Sequence, residues 1–136
     1  KILAKKIPLT PELIEEWILS VWEWADESGV SQRVIPREKR DFLDLNSLDF
    51  TFLSIELFPR ELCFLENITN LNLWDNNLSE LPKEIINFTK LQKLNLRGNL
   101  FTLSDSQNRW IEQLKEKGCV VYMDTQVVTR KDRDIQ

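Results

Sequence analysis

Apolar residues return along the middle of the chain at a fixed interval. One block reads Ile68-x-x-Leu71-x-Leu73-x-x-Asn76-x-Leu78-x-x-Leu81-Pro82, and the next reads Leu91-x-x-Leu94-x-Leu96-x-x-Asn99-x-Phe101. The shift from Ile68 to Leu91 is 23 residues. The same shift backwards lands on Leu45-x-x-Leu48-x-Phe50, then Ile55, Phe58, Pro59, Leu62 and Leu65. "FPRELCFL" therefore matches "LPKEIINF" position for position in residue class. Leu71 and Leu73 alternate with period two, so both point to one side of a short strand. Leu78, Leu81, Ile85 and Phe88 come from the return path and meet them. One such unit cannot bury its own apolar edge, but stacked units bury a continuous core. Asn76 and Asn99 stand where the chain turns out of the strand, and an amide there bonds backbone groups that the strand end leaves free.

The ends of this periodic stretch depart from it. The first unit has Leu53 where asparagine is expected, and "FTFLSIELF" is almost continuously apolar, as in a terminal unit covered by what precedes it. After Phe101, "SDSQNRWIEQLKEKG" predicts an amphipathic helix capped by Ser104 or Ser106 and stopped by Gly118, with Trp110, Ile111 and Leu114 inward. "CVVYM", 119–123, predicts a last strand that closes the sheet edge. Residues 126–136 read as a tail. Upstream, "LTPELIEEWILSVWEWADESG" predicts a helix with Thr10 as N-cap, Pro11 at the first position, Glu12 at the positive end and Gly29 just past the end. Ile14, Trp17, Ile18, Val21 and Ala25 share one face, with Trp22 and Trp24 on its flanks. "PREKRDFLDL" predicts a second short helix starting at Pro36.

The stretch 45–103 resembles the leucine-rich repeat family, in the variant LxxLxLxxNxLxxLPxxIxxL. The resemblance implies a parallel strand at each LxLxx, a turn at each asparagine, and a helical or extended return on the convex side. The expected fold class is α/β: a short leucine-rich repeat solenoid in one domain over 1–136. A helical cap over 1–44 precedes about three repeats over 45–103, a helix–strand cap over 104–125 and the tail. Three repeats are too few to be stable alone, so the flanking helices must supply core.

Composition narrows the chemistry. The chain has 136 residues, a net charge of −4 and no histidine. Without histidine there is no Ser-His-Asp or Cys-His arrangement and no histidine-based metal site. No GxGxxG or GxxxxGK[ST] occurs, and only 3 glycines are available for a phosphate-cradling loop. The expectation is a chain that is not an enzyme and needs no cofactor or metal. No basic stripe offsets the acidic balance, which argues against nucleic acid as a partner. No run of 18 apolar residues is present, which argues against a membrane span. Cys63 and Cys119, 56 residues apart, read as two reduced cysteines in or near the core. Sequons at Asn67, Asn77 and Asn87 arise readily in asparagine-rich repeats. The chain starts with lysine rather than methionine, so a missing signal peptide carries little weight. The expected location is the cytoplasm, with secretion or delivery into a host as the alternative.

What remains is a surface. In a leucine-rich solenoid the residues between and after the strand leucines face the concave side. The 23-residue shift aligns Asp49, Asn72 and Asn95 in one column, Thr51, Trp74 and Arg97 in the next, and Phe52, Asp75 and Gly98 in a third. Trp74 is expected to stand exposed at mid-face, with Arg97 on one side and Thr51 on the other. Phe52 is expected beneath the amino-terminal cap. Tryptophan and arginine are enriched at interface hot spots. The family resemblance implies a non-catalytic interaction module that docks a protein partner on this face, as in bacterial effectors, and the chain is expected to be a monomer. An acidic chain of this kind suits a basic target. The alternatives are the targeting piece of a larger enzyme or effector, and a structural self-association module.

Overall fold

The computed structural model describes residues 14–124. Its order is helix α1 (Glu16–Glu27), helix α2 (Lys39–Leu43), strand β1 (Ser47–Asp49), a 3-10 helix (Arg60–Phe64), strand β2 (Asn70–Asn72), a second 3-10 helix (Lys83–Asn87), strand β3 (Lys93–Asn95), helix α3 (Asp105–Glu116) and strand β4 (Val120–Tyr122). The class is α/β. The four strands form one parallel sheet in the order β1-β2-β3-β4.

The 23-residue shift is the sheet register. Leu48 pairs with Leu71, and Leu71 with Leu94. All three are buried, as are Phe50, Leu73 and Leu96 two residues on. The return paths carry Ile55, Phe58 and Leu62 in the first unit and Leu78, Leu81 and Ile85 in the second, and every one of these is buried. Pro59 and Pro82 start the two 3-10 helices with the same φ of −64°. A proline suits that position because the first N–H of a helix needs no partner.

The asparagines link one unit to the one before it. Asn76 Oδ1 accepts from the backbone amides of Leu53 and Ile55, and its Nδ2 donates to the carbonyls of Phe50, Leu73 and Trp74. Asn99 repeats the pattern one unit later, accepting from Leu78 and donating to Leu73, Leu96 and Arg97. Each amide thus serves groups of its own turn and of the preceding unit. The first unit carries Leu53 in place of asparagine, and its backbone amide is instead bonded by Asn76 of the next unit.

Both flanks add core. On α1, Ile18, Val21 and Ala25 are fully buried and Trp17 is half-buried, as is Ile14 just ahead of the helix, against the same cluster. Trp17 and Trp22 pack on Phe42 of α2, and Trp24 packs edge-on against Phe50 at 5.9 Å. Arg37 ties the end of α1 to the following loop, bonding Asp26 at 2.8 Å and the carbonyls of Val30 and Ile35. Two expectations shift here. The second helix begins at Lys39 rather than Pro36, because the Glu38 carboxylate accepts from the amide of Asp41 and sets the start there. The first helix begins at Glu16 after an extended Glu15, whose carboxylate pairs with Lys39. Thr10, Pro11 and Glu12, and the tail, lie outside the described residues.

At the other end Ser104 caps α3 in a reciprocal box with Gln107. The Gln107 amide also donates to the carbonyls of Leu81 and Pro82, and Trp110 Nε1 donates to that of Phe88. Helix α3 is thereby bound to the second unit's return path. It delivers β4 to the edge of the sheet, with Leu94 opposite Val121. Among the described residues no helix is long and apolar enough to cross a membrane.

Candidate functional site

The outer face of the sheet is shaped by how the strands end. Asp49, Asn72 and Asn95 lie side by side in register. Each uses Oδ1 to accept the amide two residues on: Thr51, Trp74 and Arg97, all at 3.0 Å. This is the local turn that short polar side chains favour. The first column therefore holds the second column in place. The Thr51 hydroxyl also donates to Asp49, at 2.6 Å.

The third column completes the turn. Phe52, Asp75 and Gly98 have φ of 55°, 59° and 77°. A left-handed conformation is ordinary for glycine, tolerated by aspartate, and unusual for a bulky residue such as phenylalanine. Their amides still extend the parallel ladder. Phe52 donates to the carbonyl of Trp74 at 3.0 Å, and Asp75 to that of Arg97 at 2.9 Å. Gly98 donates to Asp124 Oδ2 at 2.8 Å, so a carboxylate closes the ladder at that end.

With the backbone so fixed, four side chains form a row across the sheet. The rings of Phe52 and Trp74 are 5.3 Å apart. The Arg97 guanidinium lies 5.0 Å from the Trp74 ring and 4.8 Å from that of Tyr122. Arg97 is thus sandwiched between two π faces, a favourable place for a delocalised cation. Phe52 is 58% exposed, Trp74 38% and Tyr122 39%. Phe52 and Trp74 thus meet directly, and Arg97 bridges Trp74 to Tyr122.

The expected site residues end in different surroundings. Trp74 and Arg97 stand together as the alignment implies. Phe52 lies open rather than under the cap, and it takes the flank of Trp74 expected of Thr51, because its left-handed turn carries the ring across the strand end. Asn95, expected on the open face, is 6% exposed. It sits between Arg97, whose Nε donates to its Oδ1 at 3.3 Å, and its register partner Tyr122. Asp49 and Asn72 remain at the surface, but each carboxamide or carboxylate is engaged in its own turn. Asp75 is exposed at the strand end. Tyr122 and Asp124 were not anticipated. The alternation of "CVVYM" places Val120 and Tyr122 on one face, but α3 lengthens the last connection and breaks the 23-residue arithmetic.

Reactive groups are few. Cys63 and Cys119 are both free and buried. Burial, reinforced by Glu84 and Glu61, pushes the Cys63 thiol up to about 12, away from the thiolate. Among the described residues no group of three or more His, Cys, Asp or Glu is placed to hold a metal ion. A groove of about 950 Å³ runs along the return loops, between Trp24, Leu57 and Pro82. Neither protein-family models nor curated proteins match the chain.

Proposed function

We propose that the chain is a short leucine-rich repeat solenoid, capped at both ends, that recognises a protein partner on its concave face and carries out no chemistry of its own. The observation that carries this reading is the row Phe52–Trp74–Arg97–Tyr122. It is apolar and aromatic, includes one cation, and is open to solvent at three of its four members. Aromatic and arginine side chains are the usual anchors of protein interfaces. The row is also anchored to hydrogen-bonded turns. Turns locked by Asp49, Asn72 and Asn95 hold it from below, so little ordering entropy remains to be lost on binding.

The test is affinity capture from an extract of the source cells, with the wild-type chain beside a Trp74→Ala, Arg97→Glu double variant of matching circular dichroism. A protein retained by the wild type and lost by the variant supports the reading. Equal retention by both moves recognition to another surface and overturns it.

A further inference from the structure

The recognition reading leaves open what the partner presents, and Arg97 answers part of that question. Among the described residues its charge is unmatched: no carboxylate lies within 4.0 Å of its guanidinium, although four other ion pairs form. Its hydrogen-bonding capacity is also mostly unused. Nε donates to Asn95, while the two Nη nitrogens have no acceptor among the described residues. A guanidinium carries five N–H donors in a planar fork, and the Nη edge is the part that grips a carboxylate with two parallel bonds.

The surroundings fix that fork without consuming it. The Trp74 and Tyr122 rings flank it at 5.0 and 4.8 Å, and neither ring offers an acceptor for its Nη donors. Two carboxylates on this face turn to backbone and hydroxyl donors at the strand ends. Asp49 Oδ1 takes the amide and hydroxyl of Thr51, and Asp124 Oδ2 takes the amide of Gly98. Asp75 is exposed at the strand end, and it too forms no ion pair with Arg97. Lys93, exposed at the start of β3 and about 13 Å from Arg97 at the usual rise per residue, adds a second cation that forms no ion pair among the described residues. A net charge of −4 for the whole chain suits a basic target, but Lys93 on β3 and Arg97 just after it place positive charge on this part of the face.

Resting on the recognition reading, we propose that the partner supplies an extended acidic peptide segment. One Asp or Glu side chain seats its carboxylate on the Nη edge of Arg97, and a neighbouring apolar side chain lies on Phe52 and Trp74. Stacking pre-organises the fork, so the carboxylate meets donors that need no rearrangement. The short sheet suits such a ligand. Four strands at the usual spacing of about 4.8 Å give a row of about 14 Å, the length of a few extended residues.

The test is selection of random peptides displayed on phage through their carboxyl ends, against the wild-type chain, Arg97→Gln and Trp74→Ala, each with matching circular dichroism. The expected wild-type selection is rich in Asp or Glu near an apolar residue. Arg97→Gln is expected to lose the acidic preference and to bind the wild-type-selected peptide about ten-fold more weakly or worse. Arg97→Lys, which keeps the charge and loses the fork, is expected to fall between the two. Peptides without an acidic preference, or an acidic preference unchanged in Arg97→Gln, overturn this inference while leaving the recognition face standing. Wild-type peptides that bind Trp74→Ala and Arg97→Gln undiminished overturn the recognition face as well, as does a wild-type selection with no enrichment over a bare support.

Discussion

The backbone amide of Ile55 donates to Asn76 Oδ1 at 3.0 Å, across 21 residues of chain. That bond joins the first 23-residue unit to the second at the point where both leave the sheet. Asn76 is 6% exposed, so water is a poor substitute for the amide.

Asn76→Ala strips a partner from two amides and three carbonyls. Buried groups left unpaired cost about 1–3 kcal/mol each, so the expected loss is about 3 kcal/mol or more, and about 10 °C or more in Tm. Thermal unfolding followed by circular dichroism measures it. A loss under about 1 kcal/mol would mean that the asparagine does not hold the units together.

Gly98 answers to a different constraint. A Cβ there would lie 2.7 Å from the backbone nitrogen of Asp75, and φ is +77°. Gly29 has a similar φ of +75° with open space around it. Gly29→Ala is therefore expected to cost only the left-handed penalty, about 1–2 kcal/mol. Gly98→Ala adds a backbone clash between neighbouring strand ends and is expected to cost more by about 1 kcal/mol or above. Denaturant titration of the two variants side by side checks the order.

Cys63 makes stability sensitive to alkali. Its thiol is held up to about 12 in the folded chain against 9.0 as the ordinary value, chiefly by burial. The unfolded chain releases this proton near 9.0 and the folded chain keeps it, so the unfolded state binds fewer protons in between. Stability from this group is full below pH 9, falls as pH rises, and is lost on passing about 12. Cys63→Ala is expected to flatten the wild-type decline across that window. In native buffer near neutrality the thiol is expected to resist alkylation until denaturant is added.

Much of the fold was legible because one periodicity carries it. Leucine at 48, 71 and 94 reads as a register before any coordinates, and the sheet pairs those residues. Ser104 or Ser106, Trp110 and Gly118 likewise announce the start, inner face and stop of α3, and the structure picks Ser104 as the cap. The outer face was less legible. Trp74 beside Arg97 followed from the alignment, since both sit at equivalent positions in register-matched units. Phe52 did not, because an apolar run gives no sign of which residue turns left-handed and swings outward. The burial of Asn95 depends on Arg97 and Tyr122 on either side, and Tyr122 reaches its place only through a helix that lies outside the repeat period.

The claim that recognition occurs on the outer sheet face is tested most directly by the affinity of the captured partner for Trp74→Ala. A second variant on the far side, Leu57→Ala, serves as the control; Leu57 is 62% exposed. Titration calorimetry is the measurement, with Tm recorded for both. The account predicts that Trp74→Ala, with Tm close to wild type, binds at least about 30-fold more weakly, a loss of about 2 kcal/mol. Leu57→Ala is expected to bind as the wild type does. Undiminished binding by Trp74→Ala, or a loss confined to Leu57→Ala, would contradict it.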